Sequence, residues 1–507
     1  MNHGIIRNLI GKLLIIVGIL MIVPLLTAFV YQESIRNIIS YLIPMALLAG
    51  IGAMMAFIKP AKDSRMGARE GFVIVGSSWV LMSLFGALPF IISGYITDFF
   101  TAFFEIASGF TTTGASALTE AQMENMLNHG AKSLMMWRSF SHWIGGMGIL
   151  VFILALIPES KEGSSVHILR AESPGPQVGK IVSKMQASSR ILYLIYLGMT
   201  LLEIIILNIC HIWDKEMHFY DSLVMSFGTA GTGGFALTSQ SCGLYHPVSQ
   251  YVIATFMLLF GINFTLYYWL LIKNFKDVFN NEEVKWYLII VFLSILIITL
   301  QIYKLYSSFE EGFRHAYFQV ASIISTTGYS TTDYWSGEQG RWPALSLGII
   351  IFLMFCGSCA GSTAGGLKQS RIIILTKYSK SKIKQMISPR KVEVIRMDGK
   401  PVENNVIQST LAFFIVYNIV LLVCALLISI WNPNMPLEDQ EPLTMITASL
   451  ACISNIGPGL GAVGPAGGYS GFSWFSKLVL TFEMIAGRLE LFPILILFAP
   501  RTWKKRI

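Results

Sequence analysis

The chain has 507 residues, of which 54% are hydrophobic and only 13% are charged. A soluble domain carries about 25% charged residues, so this composition excludes a soluble domain and indicates an integral membrane protein. The net charge of +8 comes from basic clusters in alternate loops, which we interpret as a topology signal rather than as a surface for nucleic acid.

The first apolar run, from Leu13 to Val30, is about as long as a membrane span. It has no small-residue cleavage site, so we predict an uncleaved helix rather than a signal peptide. Candidate full spans lie at about 10–30, 38–58, 71–92, 133–157, 190–210, 249–272, 286–305, 343–376, 405–431 and 474–500. Ten crossings keep both termini on one side. The positive-inside rule makes that side cytoplasmic, because the basic residues cluster in alternate loops and in the tail.

Four shorter apolar segments lie between these spans, at about 98–112, 218–231, 312–326 and 442–455. Segments of 10–15 residues are too short to cross a bilayer and are typical of re-entrant half-helices. Behind the two N-terminal spans, the chain repeats the same order four times: a span, a half-helix, a turn that contains a glycine, and a second span. The turn glycines are Gly114, Gly233, Gly328 and Gly457. We predict an N-terminal addition at 1–70 and four pore repeats at 71–189, 190–284, 285–404 and 405–507.

The glycine turns indicate a cation as the ligand. Non-helical backbone at membrane depth is tolerated only where it is buried in protein or lines a water-filled cavity. Glycine allows consecutive carbonyl oxygens to point inwards, and a ring of carbonyls replaces the hydration shell of a cation. The half-helices would direct their partially negative C-terminal ends at the same cavity.

The motifs resemble the Trk/Ktr/HKT superfamily of potassium transporters, most closely its bacterial TrkH branch. The resemblance covers nearly the whole chain. It rests on the segments Phe104–Gly114, His142–Gly148, Thr232–Phe235, Ser325–Tyr329, Gly361–Gly366, Asn455–Gly459 and Gly487–Glu490.

The resemblance implies an all-α membrane protein with four pseudo-symmetric repeats around a central potassium pore. It implies a carbonyl selectivity filter that binds the transported K⁺, without an organic cofactor. The predicted filter residues are Thr112, Thr113, Gly114, Gly231, Thr232, Gly233, Thr326, Thr327, Gly328, Asn455, Ile456 and Gly457. With one filter glycine per repeat, we expect fewer binding sites than in a longer filter and some sodium permeation.

A gate is predicted below the filter. The span 343–376 is longer than a bilayer needs, and its glycine-rich middle, Cys356 to Leu367, predicts a broken helix with a flexible loop. Arg488 lies inside the last span, where an arginine should face protein or water. The predicted gate residues are Cys356, Gly357, Ser358, Gly361, Ser362, Thr363, Gly365, Gly366 and Arg488. The alternative for the loop is close helix packing. The alternatives for Arg488 are a salt bridge with Glu483 or Glu490 and snorkelling to the cytoplasmic surface.

Other candidate residues are interpreted as structural or remain open. The CxxC spacing of Cys356 and Cys359 has no βαβ context, so we favour packing over redox or metal chemistry. His142 is interpreted as a packed interfacial histidine rather than as a ligand. Carboxylates on or just before the half-helices either attract cations to the outer mouth or cap helix N-termini; they are Glu105, Asp221, Glu311 and Glu441.

The chain is thus predicted to be a multi-pass subunit for potassium uptake in the bacterial cytoplasmic membrane, and not an enzyme. The family implies a homodimer and a cytosolic, TrkA-like nucleotide-binding partner, whose docking surface would be the loops 158–189 and 377–404. Three alternatives stay open: a sodium-permeable transporter of the HKT type, a secondary transporter of another solute, and a purely regulatory or scaffolding membrane protein.

Overall fold

The computed structural model describes residues 2–57, 67–128, 130–148, 185–337, 340–389 and 393–503. Almost all regular structure in these ranges is helical, which confirms the predicted all-α class. The exception is one short antiparallel hairpin, in which Arg396 pairs with Pro401 and Met397 with Lys400. The hairpin follows the helix Gln369–Ile387, outside the apolar spans.

Six helices in the described part of the chain are long and apolar enough to cross a membrane. They are His3–Val30, Ile35–Phe57, Arg69–Ser93, Ser189–Cys210, Glu282–Leu305 and Asn404–Ile428. The first two form the predicted N-terminal pair and pack against each other. The other four each precede one half-helix, and we call them leading helices 1 to 4. These six predicted spans are confirmed as helices.

The four half-helices are present close to their predicted bounds. Half-helices 1 to 4 are Phe99–Phe110, Phe219–Gly231, Phe309–Ile324 and Pro442–Ile453. Side chains cap two of their N-termini: Asp98 accepts a hydrogen bond from the Thr101 N–H (2.8 Å), and Ser308 accepts one from the Glu311 N–H (3.1 Å). Half-helix 4 begins with a proline, which suits the first turn because the missing N–H would have no helical partner.

A further α-helix follows each half-helix, in repeat 1 after the short helix Glu120–Asn128, and stops short of a full span; we call these trailing helices 1 to 4. These helices are Lys132–Gly146, Pro247–Phe260, Ala344–Cys356 and Trp474–Arg488. Only the break near 356 follows from the sequence prediction. The candidate spans 249–272 and 474–500 are helical, but each contains a break that the sequence did not show. The part of 133–157 beyond residue 148 lies outside the described residues.

Local chemistry explains the two unexpected breaks. The chain bends by 92° between Pro247–Phe260 and Phe264–Leu271, where the Asn263 side chain accepts a hydrogen bond from the Thr265 N–H (2.9 Å) and starts a new helix. After Arg488, Glu490 and Leu491 have φ values of 54° and 65°, which end the helix before Phe492–Leu497. Hydropathy is the same for a straight and a broken apolar helix, so the sequence pattern could not show these bends.

The half-helices and trailing helices pack in a closed cycle. Each half-helix contacts its own trailing helix and the trailing helix of the preceding repeat, and half-helix 1 closes the cycle by packing on trailing helix 4. Each also packs on its own leading helix. The C-terminal turns of all four half-helices are thereby brought together at the centre.

Candidate functional site

The four half-helices end in the same backbone turn. A residue one or two positions after the end of each half-helix adopts the left-handed conformation. These residues are Thr112, Thr232, Thr326 and Asn455, with φ values of 55°, 53°, 58° and 54°. The N–H of the following residue then bonds to a carbonyl five residues back, at 2.8–2.9 Å: Thr113 to Ser108, Gly233 to Gly228, Thr327 to Ser322 and Ile456 to Ala451. This is the hydrogen bond of a Schellman-type C-cap.

Threonine in this conformation is unusual, because a β-branched side chain with positive φ is strained. Helices usually place glycine or asparagine at that position, yet three of the four turns here use threonine. Such strain persists only where the surroundings impose it, and it clusters at functional sites.

The residue two places further on is always a glycine with positive φ. These glycines are Gly114 (76°), Gly234 (76°), Gly328 (88°) and Gly457 (94°). The turn thus has three defined positions: a left-handed residue, a residue without positive φ, and a left-handed glycine. The backbone equivalence of the four turns is exact in sequence spacing, and it identifies the matching residues in each repeat.

This equivalence corrects the predicted filter in repeat 2. The sequence prediction used Gly231, Thr232 and Gly233, whereas the residues that match Thr112, Thr113 and Gly114 are Thr232, Gly233 and Gly234. Gly231 is instead the last residue of half-helix 2. Two adjacent glycines made the register ambiguous, because the sequence does not show which of them has positive φ.

The four turns meet one another in a ring. A Cβ atom on each left-handed glycine would overlap a backbone carbonyl of the next repeat. Gly114 faces the Gly233 carbonyl, Gly234 the Thr327 carbonyl, Gly328 the Ile456 carbonyl, and Gly457 the Thr113 carbonyl. Glycine is therefore required for two reasons: its φ is positive, and the backbone of the next repeat leaves no space for a Cβ atom. The ring contains carbonyl groups from all four repeats, at the partially negative ends of four helices.

Side chains beside the ring are buried and engaged in holding it. The Thr113 hydroxyl bonds to the Thr111 hydroxyl (2.8 Å) and accepts a hydrogen bond from the Asn455 side-chain amide (2.9 Å). The Thr327 hydroxyl bonds in the same way to Ser325 (2.7 Å). These hydroxyls brace the turns, which leaves the backbone carbonyls as the repeated polar groups of the ring.

The predicted loop lies directly against this ring. The helix Ala344–Cys356 stops and the next helix begins at Gln369, so the broken helix is present. The Gly365 N–H donates to the Thr326 hydroxyl (2.7 Å), and a Cβ on Gly365 would overlap the Ser454 carbonyl. The loop therefore packs under the C-terminal ends of half-helices 3 and 4.

Both ends of the loop are fixed by hydrogen bonds. The Glu283 carboxylate, on leading helix 3, accepts from the N–H groups of Ala360 (2.8 Å) and Ser370 (2.9 Å). The Ser358 hydroxyl donates to the Ile324 carbonyl (2.8 Å). The Cys359 N–H donates to the Gly261 carbonyl (3.2 Å), which links the loop to the bend in repeat 2. All six cysteines are buried, and none of them forms a disulfide.

Arg488 joins the loop to the opposite side of the ring. Its guanidinium donates to the Thr363 carbonyl (2.7 Å) and to the Gly145 and Gly146 carbonyls at the end of trailing helix 1. The two acidic residues proposed as alternative partners of Arg488 have other partners. Glu490 pairs with Arg371, and Glu483 accepts a hydrogen bond from the Ser449 hydroxyl (2.5 Å). The predicted contact between Arg488 and the loop is therefore present.

The half-helix carboxylates differ from one another. Glu105 is fully buried and pairs with Arg138 (2.7 Å), so it neither faces an outer mouth nor caps a helix. Glu311 lies in the first turn of half-helix 3 and accepts hydrogen bonds from Ser307. Asp221 accepts from the Tyr245 hydroxyl (3.4 Å), and Glu441 is the residue before half-helix 4.

Sequence reasoning missed three groups that organise the site: Glu283, the Arg371–Glu490 pair, and the hydrogen bonds of His142. Glu283 and Arg371 are ionisable residues at the ends of apolar spans, where a charge is normally attributed to the membrane surface. The sequence does not show that both are buried: Glu283 binds the N–H groups of Ala360 and Ser370, and Arg371 packs on the Phe413 ring.

These features define a class of protein: a multi-pass α-helical membrane protein with four short half-helices whose C-terminal ends meet in a ring of backbone carbonyls. Comparison with known proteins gives the family. A family model described as TrkH, cation transport protein, matches residues 36–505, and the chain belongs to this family. It is a family of transport proteins, not of enzymes.

The chain is 32% identical to the Trk system potassium uptake protein TrkH of Escherichia coli (strain K12), over the full length of both chains. It is 27% identical to TrkG of the same organism, covering 99% of this chain and 98% of the relative. The crystal structure of the potassium transporter TrkH from Vibrio parahaemolyticus is also similar, with 30% sequence identity and a TM-score of 0.84. That match covers 99% of this chain and 100% of the other.

Proposed function

We propose that this protein takes up potassium across the bacterial cytoplasmic membrane, using the ring as its selectivity filter. The observation that carries the proposal is the ring itself: four backbone turns in the same conformation, each closed against the next repeat. Carbonyl oxygens replace the hydration shell of a cation without fixed negative charge. The names of the relatives, which are Trk system potassium uptake proteins, support potassium as the ion.

The filter we propose has three residues from each repeat. They are Thr112, Thr113 and Gly114, Thr232, Gly233 and Gly234, Thr326, Thr327 and Gly328, and Asn455, Ile456 and Gly457. The half-helices add their dipoles, equivalent to roughly half a negative charge at each C-terminus, which favours a cation over an anion.

We further propose that the loop 356–368 and Arg488 form the gate. The loop lies under half-helices 3 and 4, and Arg488 connects it to trailing helix 1 across the ring. A fixed guanidinium below a cation site repels the cation, and its hydrogen bonds hold the loop in place. Opening would require breaking these bonds to backbone carbonyls.

The experiment is rubidium uptake into proteoliposomes containing the purified protein. We expect the unaltered protein to transport rubidium and Gly328→Arg to abolish transport, because the side chain has no space and positive φ disfavours it. Gly399→Arg is the control, since that glycine also has positive φ, nothing lies within 4 Å of it, and it lies in the hairpin outside the apolar spans. Normal uptake by Gly328→Arg would contradict the filter, and equal sodium and rubidium fluxes would favour the HKT-like alternative.

Assembly is proposed on the family resemblance. We propose a homodimer with a cytosolic TrkA-like partner and both termini in the cytoplasm. The helix Gln369–Ile387 continues directly from the loop and carries exposed apolar and basic residues, among them Met386 (83% exposed), so a partner bound there could pull on the gate. Charge reversal at Lys382, Lys384 and Arg390 should weaken copurification with the partner; Arg390 lies outside the described residues.

A further inference from the structure

Each junction between neighbouring turns is bridged by a polar side chain. Tyr329 donates to the Phe235 carbonyl between repeats 3 and 2 (3.4 Å), and Tyr334 donates to the Gly459 carbonyl between repeats 3 and 4 (3.1 Å). Asn455 donates to the Thr113 hydroxyl between repeats 4 and 1. The junction between repeats 1 and 2 is bridged by His142.

His142, on trailing helix 1, bonds to both neighbouring turns at once. Its Nδ1 lies 2.8 Å from the Gly109 carbonyl oxygen of half-helix 1, and the Phe235 N–H, just after the turn of repeat 2, points at its Nε2 (3.3 Å). A carbonyl only accepts and an N–H only donates, so Nδ1 carries the proton and Nε2 is the acceptor. Both ring nitrogens are therefore committed to the neutral tautomer.

The imidazole has no freedom to move from this position. Its side chain is fully buried, and its ring packs on the Phe235 ring with centroids 4.4 Å apart. A Cβ on Gly233 would overlap the imidazole, so the glycine at this filter position makes room for the histidine. The Gly109 carbonyl also accepts from the Thr112 N–H (3.1 Å), which places the histidine on the strained turn itself.

We propose that His142 is a positioning residue that sets the spacing between the filter turns of repeats 1 and 2, and thereby the selectivity for potassium over sodium. The proposal rests on the filter function proposed above. Of the four bridging residues, His142 is the one whose ring donates to one repeat and accepts from the next. Loss of either bond frees one side of the ring to change its diameter, on which discrimination between the two ions depends.

The test uses three variants that remove different bonds. The amide nitrogen of His142→Asn can replace Nδ1 as donor to Gly109 but leaves Phe235 unbonded. The amide oxygen of His142→Gln can reach the Nε2 position and accept from Phe235. His142→Ala removes both bonds. His315→Asn is the matched control, because His315 bonds within its own repeat, to Thr331 (2.8 Å).

The measurement is the potassium-to-sodium permeability ratio, from reversal potentials of the reconstituted full-length protein, with thermal stability measured in parallel. Because His142→Asn and His142→Gln each keep one of the two hydrogen bonds, we expect the ratio to fall roughly two- to tenfold in both and further in His142→Ala, which keeps neither. His315→Asn should keep the original ratio.

Two outcomes would overturn the proposal. One is an unchanged permeability ratio in His142→Asn and His142→Ala. The other is a loss of stability or total flux without a change in the ratio in any variant that folds, because it would indicate a purely structural role. Absence of potassium preference in the unaltered protein is a different result: it would contradict the filter function and not the role of His142 in spacing the turns.

Discussion

Glu105 and Arg138 show how single residues support the ring from behind. Arg138 donates to Glu105 through Nε (2.8 Å), and Glu105 also accepts from the N–H of Ala117, just beyond the first turn (2.9 Å). The Arg138 guanidinium lies over the Phe235 ring, 4.2 Å from its centroid. One ion pair thus fixes the chain downstream of two turns.

We predict that Arg138→Met destabilises the protein by about 3–5 kcal/mol, because it leaves the buried Glu105 charge uncompensated. The double variant Glu105→Gln, Arg138→Met should recover much of this loss, since both charges are then absent. Thermal unfolding in detergent measures the effect. Glu310→Ala breaks a pair with Arg314 in which the glutamate is 57% exposed, and it should change stability by less than about 1 kcal/mol. Equal effects of the buried and exposed substitutions would contradict this account.

Gly114 is a residue at which even one methyl group should be harmful. We predict that Gly114→Ala greatly reduces rubidium uptake, because φ is 76° and the new Cβ would overlap the Gly233 carbonyl. Gly348→Ala makes the same chemical change inside trailing helix 3, where there is open space, and should leave uptake intact. Uptake at the original rate in Gly114→Ala would show that the ring is wider than described.

At the scale of elements, all four trailing helices end near the level of the ring. In repeat 2 the chain bends there, and in repeat 3 the loop begins there. Trailing helix 4 ends at Arg488, which binds the Gly145 and Gly146 carbonyls of trailing helix 1. The sequence pattern indicated a break in repeat 3 alone. In the structure, residues from all four repeats surround the loop.

Glu283 provides a test of the loop as a gate. Glu283→Ala removes the acceptor shared by the Ala360 and Ser370 N–H groups, so we predict a higher rubidium flux without added partner. Glu283→Gln keeps a carbonyl oxygen at the same place, so its flux should stay closer to that of the unaltered protein. The permeability ratio should stay constant in both variants, because neither touches the ring. A lower flux with a changed ratio would contradict a gating role.

At the scale of the whole molecule, the ring is built from segments more than 300 residues apart, as the bond between Thr113 and Asn455 shows. A cation bound in the ring would tie four repeats together. We therefore predict that potassium raises the unfolding temperature relative to choline, since a ligand at 100 times its Kd stabilises by about 2.7 kcal/mol. The effect should be lost in Gly114→Ala. Equal unfolding temperatures in potassium, sodium and choline would argue against a cation site in the ring.

Sequence patterns alone were enough to predict the membrane class, the six long spans, the four half-helices and the repeated glycine turns. Composition, hydropathy and local backbone preference are properties of short segments, and they act before distant segments meet. The turn at 326–328 and the interruption after Cys356 were accordingly predictable.

Packing between distant segments sets the register of repeat 2, the 92° bend after Phe260 and the burial of Glu105. It also sets the contacts of Arg488 and His142. Each depends on which backbone or side chain arrives from another repeat. Gly233 and Gly234 are chemically identical in the sequence, and they differ because one leaves room for the His142 ring while the other meets the Thr327 carbonyl. Packing between repeats gives these two glycines their separate roles.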